Sequence, residues 1–149
     1  MARYAAELNR TASLSLPVGS ITSDATTPRR GKLYEMIVGC DASPADNTFQ
    51  YQVQRCTTSG TSTGVTPTAL DSADAAALSD VGENHTVAPT VTAGAILLTI
   101  PLNQRATFRW VAAPYGELVY PAVASNGFAI NTPVAALVAV TALIHFEEQ

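Results

Sequence analysis

Charge is what this sequence has least of. Asp, Glu, Lys and Arg make up 13% of its 149 residues, about half the roughly 25% usual in soluble domains. Hydrophobic residues stand at 47%, and that pairing excludes intrinsic disorder, which needs low hydrophobicity with high charge. Eight basic residues against twelve acidic leave a formal charge of −4, so the footprint of a nucleic-acid binder is missing. Long apolar runs are missing too. The longest, Val134–Ile144, falls well short of the ~20 residues that span a bilayer, and no membrane partner is expected. Met1–Glu7 carries no apolar stretch of the kind a secretory signal needs.

Histidine and cysteine are nearly as scarce, at two each. Imidazole is the usual ligand for first-row metals, and His85 and His145 alone do not make a metal site. The acids Asp71, Asp74, Asp80 and Glu83 lack the spacing and glycine of a calcium loop, so they read as solvated. No Gly-x-Ser-x-Gly elbow or phosphate-binding loop occurs. Neither a metal, another cofactor nor an enzymatic activity is expected. A hairpin around Asp41–Asn47 would place Cys56 about 27 Å from Cys40 at ~3.4 Å per residue, far beyond disulfide reach. Two free thiols are expected.

What is present is dense turn chemistry between short stretches rich in Val, Ile, Thr and aromatics, the pattern of an all-β sandwich or barrel. Strands are predicted over Arg3–Leu16, Lys32–Cys40, Thr48–Thr57, Ala95–Leu102, Arg105–Ala113, Glu117–Tyr120, Gly127–Asn131 and Val134–Phe146. Pro17–Gly31 reads as an extended arm or loop. Ser59–Gly64 reads as a loop, as does the stretch around His85. Ser72–Leu78 reads as one short helix, with Ser72 as its cap. Asn126-Gly127 predicts a tight turn between the two strands beside it. In Thr48–Thr57 the set Phe49, Tyr51, Val53 alternates with Gln50, Gln52, Gln54. Val134–Phe146 is apolar on both alternating sets and fits strand or helix; its β-branched residues favour strand. An eight-strand, two-sheet antiparallel jelly roll in a single domain of residues 1–149 accommodates these elements.

Two surface signals follow. Arg29, Arg30 and Lys32 are three of the eight basic residues, at the end of the arm. They read as a solvated tip or as a foot on an acidic partner. Residues 1–70 hold 6 basic and 5 acidic residues, and residues 71–149 hold 2 and 7, which suggests a bipolar surface. Leu137, Ala139 and Leu143, on the second face of the last strand, are apolar where a sandwich strand facing water is polar. They are the candidate subunit interface. Tyr115 and Tyr120, beside Trp110, could stack on sugars or pack on the sandwich edge.

The segments Thr27–Tyr34, Ala69–Asp74, Arg105–Pro114, Gly116–Pro121 and Asn126–Phe128 together resemble the small all-β decoration, or cement, proteins of tailed-bacteriophage heads. The resemblance implies a jelly-roll homotrimer on the outer surface of the virion, bridging neighbouring copies of the major capsid protein. It carries over no catalytic residue. Arg29, Arg30 and Lys32 would face the capsid. The rival expectation is a lectin-like or head-fibre module that contacts glycans.

Overall fold

The computed structural model describes residues 1–134 and 137–149. The strands are β1 (Ala2–Thr11), β2 (Gly19–Thr22), β3 (Gly31–Ala42), β4 (Thr48–Cys56), β5 (Thr61–Val65) and β6 (Thr68–Ala69). They continue with β7 (Asp80–Val87), β8 (Val91–Asn103), β9 (Phe108–Val111), β10 (Leu118–Tyr120), β11 (Gly127–Asn131) and β12 (Ala139–Glu148). The first sheet runs β10-β3-β12-β1-β6, with β9 also on β3, and the second runs β5-β7-β2-β11-β4-β8. Every pairing is antiparallel. The chain is therefore an all-β sandwich of two antiparallel sheets.

Period-two burial shows why these stretches are strands. In β4, Phe49, Tyr51 and Val53 are buried while Gln50, Gln52 and Gln54 lie on the outer face. In β12, Val140, Ala142, Ile144 and Phe146 point inward, and Ala139, Thr141, Leu143 and His145 alternate with them. The sheets meet through apolar side chains and aromatic pairs. Tyr4 stacks on Phe146 at 5.4 Å, and Tyr120 of the first sheet meets Phe128 of the second edge-on at 5.7 Å. Such pairs add about 0.5–1.5 kcal/mol each beyond their buried area.

Several sequence expectations are corrected. Lys32–Cys40 and Thr48–Thr57 do not form a hairpin: β3 belongs to the first sheet and β4 to the second. The Tyr51 hydroxyl, on β4, donates to the Gly39 carbonyl of β3 at 2.5 Å. The two cysteines are free, although the strand pairing invoked to separate them is absent. Asn126-Gly127 likewise joins strands of different sheets, β10 and β11. The arm is not free-standing either. Its residues Gly19–Thr22 form β2 between β7 and β11, all four buried. Most of Ser59–Gly64, read as a loop, belongs to β5, and His85, also placed in a loop, lies in β7. The last strand starts at Ala139; Ala135 and Ala136, inside the range expected for it, lie outside the described residues.

Ser72–Leu78 is not helical. Seven residues cannot repay helix nucleation on their own, and their polar groups are engaged elsewhere. The Asp71 carboxylate accepts from the Ala73 amide at 2.9 Å, making a single turn. The Ala75 carbonyl accepts from the Tyr4 hydroxyl at 2.9 Å. Glu148, at the end of β12, takes the Leu78 and Ser79 amides at 3.0 and 2.6 Å.

Candidate functional site

The outer face of the first sheet gathers the largest ionic cluster. One extra residue, Tyr34, sits on β3 where His145 pairs with Glu35 and Phe146 with Leu33. This bulge resets the alternation, so Leu33 and Met36 both face the core and Glu35 faces out. Glu35 is nevertheless only 8% exposed. Its Oε1 accepts from Arg109 Nε of β9 at 2.5 Å, and its Oε2 lies 3.0 Å from His145 Nδ1 of β12. The Arg109 bond first, and the His145 bond second, hold the Glu35 carboxyl below its usual range. Both carboxylate oxygens are occupied, and the cluster ties β9, β3 and β12 together.

The residues proposed for subunit packing run away from that cluster along β12, with only Leu143 near it. Ala139 and Leu143 are on this face, half-buried, with Leu143 opposite Ile37 of β3 and Glu7 of β1. Leu137 precedes the strand and is 97% exposed. The three basic residues separate. Lys32, on β3, pairs with Glu147 at 3.3 Å. Arg29 and Arg30 are exposed in the segment before β3, and neither makes an ion pair among the described residues. The Arg30 carbonyl accepts from the Gln149 amide at 2.8 Å.

The aromatic platform is not assembled. Tyr120 is fully buried with its hydroxyl 2.6 Å from Ser79 Oγ, whereas Tyr115 is 99% exposed. Trp110 packs half-buried against the core.

On the second sheet, His85 is 1% exposed in β7 rather than in a loop. Its Nε2 lies 3.0 Å from Ser20 Oγ and 3.2 Å from the Ser59 carbonyl. A carbonyl only accepts, so we assign the ring hydrogen to Nε2. Nδ1 is then a buried acceptor without a partner. Burial pushes the His85 pKa down, and the Arg10 charge adds to this. The four acids Asp71, Asp74, Asp80 and Glu83 do not converge; Glu83 accepts from the Asn9 amide at 2.7 Å. Among the described residues no three His, Cys, Asp or Glu side chains are grouped to hold a metal ion. Burial raises both thiols, Cys56 to about 11, so neither is an activated nucleophile at neutral pH.

A groove of about 240 Å³ crosses the outer face of the second sheet. Gln52 and Gln54 of β4 and Asn131 of β11 form its floor, Ser13–Pro17 one wall, and Ala88, Pro89 and Val91 the other. Gln54 donates to the Thr92 carbonyl at 3.0 Å and accepts from Asn131 Nδ2 at 3.3 Å. The sequence singled out the glutamine face through its alternation. The walls come from residues about 40 positions away on either side, which no local pattern announces.

The chain matches no protein-family model, no curated protein and no solved structure.

Proposed function

We propose that this chain is a virion structural protein, a jelly-roll subunit that binds the outer surface of a tailed-phage head as a trimer and reinforces it. The observation that carries the fold part of this reading is the nesting of the strands. β1 pairs with β12, β2 with β11, β3 with β10 and β4 with β8. Such nesting is what a long antiparallel hairpin rolled into two four-stranded halves would give, so it supports the jelly-roll reading, with β5, β6, β7 and β9 as additions. Viral capsid proteins, lectins and cupins share that winding, so it narrows the class without choosing a function. Three features weigh toward the virion. Five short segments spread between Thr27 and Phe128 resemble head decoration proteins. Glu35, Arg109 and His145, and Lys32 with Glu147, are engaged in holding strands together. Leu143 and Ile37 form an apolar centre on the outer face of the first sheet, and Arg29 and Arg30 are exposed at its margin.

The mechanism is mechanical. Contacts available only on the expanded shell add binding free energy to that state, and by linkage the shell becomes harder to unfold or rupture. Gene neighbourhood and binding test it together. A major-capsid-protein gene is expected beside this one, and the chain should co-sediment with expanded shells of that protein but not with unexpanded ones. Equal binding to both, or to neither, overturns the reading.

A further inference from the structure

We propose that the groove floored by Gln52, Gln54 and Asn131 is a binding site for a neutral sugar unit of a glycan. The proposal is independent of the capsid reading and does not use the tyrosines. Twelve of the described residues line the groove and none of them is charged. A phosphate, carboxylate or amine buried there would lose its hydration with no counter-charge in return. A purely apolar ligand fails for the opposite reason, because it would strand the amides of the floor. The Gln52 side chain makes no hydrogen bond among the described residues, while Gln54 is held in place by Thr92 and Asn131. One free amide beside an anchored one offers donors and acceptors side by side, as vicinal hydroxyls require. Leu14 and Pro17 on one wall and Pro89 on the other supply aliphatic surface for the C–H face of a pyranose ring. The volume equals roughly eight waters at ~30 Å³ each, below the range of clefts for drug-sized ligands. It suits one ring, bound weakly in isolation and strengthened when several copies engage one glycan.

Titration of the full chain, followed by amide NMR, tests this with glucose, galactose, mannose and N-acetylglucosamine. N-acetylneuraminic acid, glucose 6-phosphate and N-acetylglycinamide are the comparison ligands. At least one neutral sugar should give saturating shifts at the side-chain amides of Gln52, Gln54 and Asn131 and at the backbone amides of residues 13–16. Gln52→Ala should weaken that binding about tenfold, the effect of losing roughly one buried hydrogen bond. Leu14→Ala, which trims an exposed wall residue, should weaken it as well, and the rest of each variant's spectrum should overlay the parent's. Absence of saturable shifts with all four neutral sugars overturns the proposal. So do shifts that persist unchanged in both variants, or that the charged sugars or the blocked peptide produce equally.

Discussion

His85 and Glu35 are both almost wholly buried ionisable side chains, and acid reaches them in different ranges. The pKa of His85 is lowered on folding, so its contribution to stability is complete above the unfolded value of about 6.5 and is lost as pH falls through and below it. Protonation would place an unpartnered N–H and a charge in a buried site beside Arg10. Urea midpoints should therefore fall between about pH 7.5 and about pH 5.5 more in the parent than in His85→Gln; parallel curves would refute this. The pKa of Glu35 is also lowered, so its contribution is complete above about 4.3 and is lost as pH falls through its folded value. Gly31 carries a different constraint. A Cβ there would run into the ring and hydroxyl of Tyr120, which Ser79 and Phe128 hold in place. Gly31→Ala should cost about 2 kcal/mol through overpacking, a drop in Tm of roughly 4–8 °C by calorimetry.

Among the elements, β8 and β12 carry the surface consequences. β8 is the terminal strand of the second sheet, thirteen residues long, and has no charged residue. Unpaired backbone on such an edge invites pairing with another chain. Pro101 interrupts its regular half, and register shifts against β4 break up the other. Pro101→Val should raise light scattering on warming, and Ile96→Lys should lower it without changing the circular dichroism; the reverse order would show that this edge is harmless. On β12, Leu143 faces outward from an inner strand of its sheet. If that face packs subunits, Leu143→Arg should turn a trimer into monomers in sedimentation equilibrium while the fold persists. A parent that sediments as a monomer at micromolar concentration refutes the trimer. The strand character of β12 was legible because β-branched residues occupy it and its inner set alternates. Its outer partners were not legible, because they depend on which strands lie alongside.

Taken whole, the molecule joins its ends: β1 pairs with β12 along ten residues, from Ala2 with Glu148 to Thr11 with Ala139. Nearly every strand partner is distant in sequence, and β-sandwiches of this kind fold in milliseconds to seconds because loop closure precedes the contacts that reward it. Fluorescence of Trp110 on β9 and circular dichroism of the strands should report one coincident unfolding transition. Two separated transitions would mean that the β9 side of the first sheet melts on its own.

The residue order alone settles the all-β class, because period-two alternation is a local property that β4 displays without help from the rest of the chain. It also settles the low charge, and with it what the surface cannot attract. Which strands share a sheet was decided only in three dimensions. The turn at Asp41–Asn47 looks like a hairpin and is a crossing between sheets. Gly19–Thr22 looks like a loop and lies inside a sheet, since its Ser and Thr hydroxyls are buried by neighbours rather than solvated. The extra residue at Tyr34 reverses which of its neighbours face the core, and so brings Glu35, Arg109 and His145 to one point. Register and sheet membership arise from pairing between remote segments, where a slip of one residue turns every side chain to the other face. Local alternation specifies a strand but not its neighbour.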